Sequence, residues 1–204
     1  MSKYTSKNSK IYYPNTDIPI HKLNLKNKDE LIKLENYLLL QTYEKFGTPT
    51  KLELNEEFFI NLHKNTFVDL YEWSGKYRDI DMAKGGSLFC RGLYVKKEIN
   101  TLFQKLKKDN YLKNLSKNNF YKKLAYYKCE LIAIHPFYEI NGRIIRLFID
   151  ILALNNGYDF IDYSKISKDA YIECAIKCVR EADYQCFEKM FFDVENGEIK
   201  TEIN

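Results

Sequence analysis

Proline and glycine are scarce, 4 and 8 in 204 residues, which excludes a collagen-like chain or a flexible low-complexity polymer. Long hydrophobic runs are missing as well. The longest mostly apolar stretch, residues 144–154, contains Arg146 and Asp150 and falls short of the roughly 20 residues a bilayer span needs. The N-terminal MSKYTSKNSK has no apolar segment behind it, so no secretory signal is expected. The 5 cysteines are odd in number and scattered over positions 90, 129, 174, 178 and 186. No disulfide framework is implied, and thiols packed as small hydrophobes in a reducing cytoplasm are the expectation. Arginine is rare, and it is absent from both lysine-rich segments, residues 1–34 (net +4) and 96–123 (net +7). A nucleic-acid footprint mixes arginine into such a patch. A solvated surface is therefore expected there, with no specific nucleic-acid binding and no membrane contact.

Aromatic residues make up 15% of the chain, which points to a packed core rather than disorder. No internal repeat or linker is visible, and the length suits one domain. The domain is expected to occupy residues 1–204, with its core over about 50–192, an N-terminal arm at 1–26 and a frayed tail at 195–204. Periodicity predicts helices over 28–46, 55–73, 96–108, 119–134, 141–156, 167–181 and 183–194. Residues 76–95 alternate instead, and Gly85-Gly86 can supply the positive φ of a tight turn. The fold class read from these patterns is all-α with one β-hairpin.

The chemistry concentrates in residues 135–146, His-Pro-Phe-Tyr-Glu-Ile-Asn-Gly-Arg-Ile-Ile-Arg. Pro136 disfavours helical backbone at His135, so the preceding helix ends there. Asn141-Gly142 opens the next helix, whose first N–H groups and partial positive charge suit an anion. Arg143 sits in that first turn and Arg146 three residues on, roughly on the same face; cations near a helix N-terminus oppose the macrodipole, and these two make sense if an anion binds among them. Glu139 suits a divalent cation that bridges phosphates. His135 has the pKa range of a general base.

This segment resembles the Fic motif, His-Pro-Phe-x-Asp/Glu-Gly-Asn-Gly-Arg-x-x-Arg. Upstream, residues 62–90 are similar to the helix and β-hairpin flap that precede the motif in that family. The resemblance implies a helical Fic fold and a protein adenylyltransferase that uses ATP and Mg²⁺. It makes His135 the base toward a Ser, Thr or Tyr hydroxyl, and Glu139 the metal ligand. Asn141, Gly142 and Arg143 would form the anion hole, and Arg146 would take the γ-phosphate. Phe137 would anchor the loop in the core. The flap, residues 78–90, would dock the target protein, and Lys84 and Gly85 near its tip would join the nucleotide site. Transfer of UMP or a phosphoryl group is the alternative chemistry. The motif departs from the family at Ile140, where a β-branched side chain replaces glycine and is costly at positive φ. Either that side chain turns into the core, or phosphate binding suffers and the chain is a catalytically silent binding module. The inhibitory pattern of the family, Ser/Thr-x-x-x-Glu-Gly/Asn, is absent from the sequence. The resemblance therefore implies either a toxin-type member whose inhibitory helix arrives on a small antitoxin, or a chain that Ile140 keeps quiet with no antitoxin. The resemblance further suggests a bacterial cytoplasmic protein, or one delivered into another cell.

Overall fold

A computed structural model describes residues 11–23, 25–48 and 52–197 of the chain. Seven α-helices and one two-stranded hairpin occur among them: α1 (Lys28–Phe46), α2 (Glu56–Phe67), β1 (Ala83–Lys84), β2 (Ser87–Leu88), α3 (Val95–Lys108), α4 (Lys117–Ile134), α5 (Asn141–Leu154), α6 (Lys168–Glu181) and α7 (Gln185–Asn196). The first ten residues of the expected arm and most of the expected tail, 198–204, lie outside the described residues. No helix among those described is long and apolar enough to cross a membrane.

Local capping sets several helix starts. The side chain of Asn27 accepts from Asp29 N–H, that of Asn55 from Phe58 N–H and that of Ser167 from Ala170 N–H, each satisfying an orphan donor of a first turn. Packing does the rest. α4 is the hub and touches α3, α5, α6 and α7. α5 is the most apolar element; Ile144, Leu147, Phe148, Ile151 and Leu152 are all buried. A cluster of rings, Phe59, Phe103, Phe137 and Phe148, closes the centre between α2, α3 and α5, with centroids 5.2–5.5 Å apart. Such pairs add to simple area burial.

Three expectations need correction. The second helix does not reach Trp73. It stops at Phe67, and the chain turns with Leu70 and Tyr71 N–H both donating to Phe67 C=O. The turn buries Tyr71 and stacks it on Trp73 at 4.2 Å, which a continued helix would forbid. The fourth helix starts two residues earlier than its pattern suggests, at Lys117. The cysteines are not separate thiols: Cys129 pairs with Cys178 and Cys174 with Cys186, leaving Cys90. α6 carries Cys174 and Cys178 on the face that packs against α4 and α7, so each meets a partner across the interface. This pairing removes the argument for a reducing compartment.

The hairpin is shorter than its sequence pattern but correctly centred. Ala83 faces Leu88 and Lys84 faces Ser87. Gly85 (φ 55°) and Gly86 (φ 76°) make the two-residue turn, a conformation that disfavours any residue with a Cβ.

Candidate active site

The motif loop joins α4 to α5 and is pinned at both ends by left-handed residues. His135 (φ 50°) caps α4 and Ile140 (φ 67°) precedes α5. For an L-residue that conformation costs about 1–2 kcal/mol, so the surroundings must hold the loop in place. Three side chains do so. Asn141 is fully buried; its Oδ1 accepts from Phe137 N–H at 2.8 Å and its Nδ2 donates to Phe137 C=O at 2.7 Å. Phe137 is also fully buried and stacks on His63 at 4.0 Å, as its expected anchoring role requires. His63 Nδ1 accepts from Gly75 N–H at 3.0 Å, which leaves Nε2 to donate to Glu139 C=O at 3.3 Å. Burial pulls the His63 pKa down to about 3, so the ring is neutral.

The site residues named from sequence converge. His135, Glu139, Ile140, Gly142, Arg143, Arg146, Lys84 and Gly85 all line one cavity of about 760 Å³. A larger groove of about 1110 Å³ between α3, α4 and α7 carries Lys105, Lys122, Tyr126 and Tyr184 but none of the motif residues. Asn141 alone of the set lies off the cavity. Its side chain is committed to the loop, so what it can offer an anion is its main-chain N–H. That group and Gly142 N–H belong to the first turn of α5, outside the helix's own hydrogen-bond ladder.

His135 is buried, with its ring stacked on Phe89 of the flap at 3.9 Å and 12°. Glu139 is 5% exposed, and its Oε1 accepts the hydroxyl of Tyr12 from the N-terminal arm. Ile140 joins the hydrophobic core while being 3% exposed. The first of the two outcomes expected for it therefore holds: the backbone takes the left-handed shape and the side chain packs inward.

Arg143 and Arg146 are held differently. Arg143 donates to Glu35 Oε2 at 2.6 Å and Asn36 Oδ1 at 2.8 Å, both on α1. Glu35 also accepts the Tyr71 hydroxyl. Arg146 has no carboxylate partner among the described residues; its guanidinium lies 5.6 Å from the ring of Tyr163 and 5.4 Å from that of Tyr171.

Sequence reasoning missed Glu35, Arg78 and these two tyrosines. Glu35-Asn36 follows Leu31 at the inhibitory spacing, but with leucine where Ser or Thr was sought. Arg78 is 1% exposed and donates to the carbonyls of Ile80, Cys90, Ile134 and His135. It thereby ties both strands of the flap base to the motif loop. The backbone reinforces this, with Arg78 N–H on Pro136 C=O and Cys90 N–H on Ala133 C=O, both at 2.9 Å. The alternating segment 76–95 also holds the exposed Arg91, so nothing in the sequence marks Arg78 as the buried one.

Comparison with known proteins fits this geometry. The Fic/DOC family profile matches residues 53–153. A probable protein adenylyltransferase Fic of Escherichia coli (strain K12) is 31% identical over 164 residues, 78% of each chain. Protein adenylyltransferase VbhT of Bartonella schoenbuchensis is 30% identical over 178 residues, 87% of this chain but 37% of that one, so the chain spans little more than a third of that relative. Among solved structures, BepC of Bartonella tribocorum with bound AMPPNP superposes with a TM-score of 0.79 at 25% identity, covering 91% of this chain and 96% of that one. The chain belongs to the Fic/DOC family.

Proposed function

We propose that this chain is a protein adenylyltransferase that moves AMP from ATP to a hydroxyl of a target protein. The observation that carries this reading is the convergence of His135, Glu139, two arginines and a helix N-terminus on a single cavity, whose lining also includes Asp17 and Glu35. Adenylyl transfer needs those groups together. His135 takes the proton of the target hydroxyl as its oxygen attacks the α-phosphorus. The bond from the α-phosphorus to the bridging oxygen breaks, pyrophosphate leaves, and AMP remains as a phosphodiester on the target. Arg143, Arg146 and the first N–H groups of α5 neutralise the charge that develops on the phosphates, which is where most of the acceleration arises.

Glu139 fits a magnesium ion. Among the described residues no cluster of three or more acidic, His or Cys side chains could form an all-protein cage. Glu139 is buried on the cavity wall, and magnesium is usually held by one or two carboxylates together with substrate phosphates. The ion, when bound, would supply neutralisation of phosphate charge. The flap supports the docking role by its exposure: Leu88 is 63% exposed beside a strand edge of two residues. An extended segment of the target can add to that edge.

Labelled ATP tests the reading. With a bacterial lysate as target source, label on a protein band from the α-phosphate but not the γ-phosphate is expected. Label from γ only would make the protein a kinase.

A further inference from the structure

We propose that Tyr163 and Tyr171 are positioning residues for Arg146, their rings forming the seat that aims its guanidinium at the terminal phosphate of the nucleotide. The proposal rests on the reading of Arg146 given above.

Arg146 stands one turn into α5 with its side chain half-buried on the cavity wall. A long side chain so placed has several rotamers to choose from, and holding one needs contacts. Its only hydrogen bond among the described residues is to Gly142 C=O, at 3.3 Å and within its own helix. Two rings flank the guanidinium, one from the 3₁₀ turn at Tyr163–Lys165 and one from α6. They meet edge to face, with centroids 6.0 Å apart and planes at 76°, and both line the cavity. Both guanidinium-to-ring distances fall within the range of a cation–π contact. Such a contact holds the flat group while leaving its N–H donors for a phosphate, which a carboxylate would occupy.

The seat itself is fixed from below. Lys128 is fully buried, with its ammonium 5.1 Å from the Tyr163 ring and 5.0 Å from the Tyr171 ring, and it donates to the Tyr163 hydroxyl at 3.2 Å. Phe187 and Phe191 complete the cage around it. Asp150, one turn beyond Arg146 on α5, is 1% exposed, and burial pushes its pKa up to about 7; it accepts from the Tyr43 hydroxyl at 2.8 Å and from Ile161 N–H at 3.3 Å. A buried lysine costs desolvation. Here it anchors the two rings that face the ligand.

The test compares the affinities of ATP and ADP, measured by calorimetry with Mg²⁺ present, for wild type, Arg146→Ala, Tyr171→Phe and Tyr171→Leu. Tyr171 is the better position, since Tyr163 also partners the buried Lys128. The wild type is expected to prefer ATP, and Arg146→Ala to erase that preference. Tyr171→Leu is expected to reduce it about five- to tenfold, between the size of an exposed and of a desolvated cation–π contact. Tyr171→Phe keeps the ring and is expected to keep the preference. Melting curves check that each variant folds. An unchanged preference in Tyr171→Leu beside a loss in Arg146→Ala would overturn the seat alone. Equal loss of ATP and ADP affinity in Tyr171→Leu would make the ring a base-stacking face and overturn it too. Equal effects of Phe and Leu would assign the effect to the hydroxyl. A preference that survives Arg146→Ala, or is absent in wild type, would remove the underlying reading of Arg146 and the seat with it.

Discussion

Arg143 and Arg146 lie three residues apart on one helix and line one cavity, but the walls that hold them have opposite chemistry. On the α1 side, Glu35 and Asn36 grip Arg143 through direct hydrogen bonds, and the Tyr71 hydroxyl braces Glu35 from behind. On the α6 side, two aromatic rings flank Arg146, and its hydrogen bond goes to Gly142 C=O rather than to a carboxylate. A carboxylate grip gives rigidity and local neutrality at the cost of donors. An aromatic seat gives orientation and keeps the positive charge for a ligand. In the proposed reading, the α1 wall is structural first and the α6 wall serves the anion.

The comparison can be broken by stability measurements. Glu35→Ala should show the largest effect, a loss of about 3 kcal/mol, because it strands a partly buried arginine and the Tyr71 hydroxyl. Urea unfolding at pH 7 reads it directly. A loss under 1 kcal/mol would show that Arg143 is not anchored by α1.

Acid should come next. His63 lies beneath the loop that both walls serve, and its pKa is depressed to about 3 in the folded state. Between that value and the ordinary value near 6.5, the unfolded chain binds a proton that the folded chain excludes. Stability is then present above about pH 6.5 and is lost as pH falls, by about 1.4 kcal/mol per unit from this residue. Urea midpoints at pH 7, 6 and 5 should fall in wild type and fall less steeply in His63→Phe. Parallel slopes would reject a neutral buried His63.

Arg146→Ala should cost less than about 1 kcal/mol of stability, since the rings beneath it remain packed and no carboxylate is stranded. A cost equal to that of Glu35→Ala would erase the difference between the walls. On the transfer rate, the smallest effect is expected at Ile140. Because its side chain packs into the core, Ile140→Gly should leave the transfer rate within about threefold of wild type, under 0.7 kcal/mol of barrier. Activity that appears only in the glycine variant would restore the reading of a silent binding module.

What the sequence made legible was local. The motif puts base, carboxylate, helix start and arginines within 12 residues, so chemistry and position could be read together. Helix starts were marked by Asn27, Asn55 and Ser167, whose side chains reach only two or three residues ahead. The left-handed shape at Ile140 also follows from the glycine it replaces. What escaped depends on contacts distant in the chain. Glu35 meets Arg143 across 108 residues, and Cys129 meets Cys178 across 49. Periodicity carries no record of such partners. The end of α2 escaped for a related reason: the pattern through Trp73 is helical, and tertiary burial of Tyr71 and Trp73 overrode it.

The role of His135 carries the whole account, and one substitution tests it. In His135→Ala, affinity for AMPPNP with Mg²⁺ should match wild type, because the arginines, the helix start and Glu139 are untouched. Transfer of α-phosphate label should fall by about 10²–10⁴-fold, the usual contribution of a positioned base. Transfer that persists at the wild-type rate while nucleotide still binds would contradict the assignment.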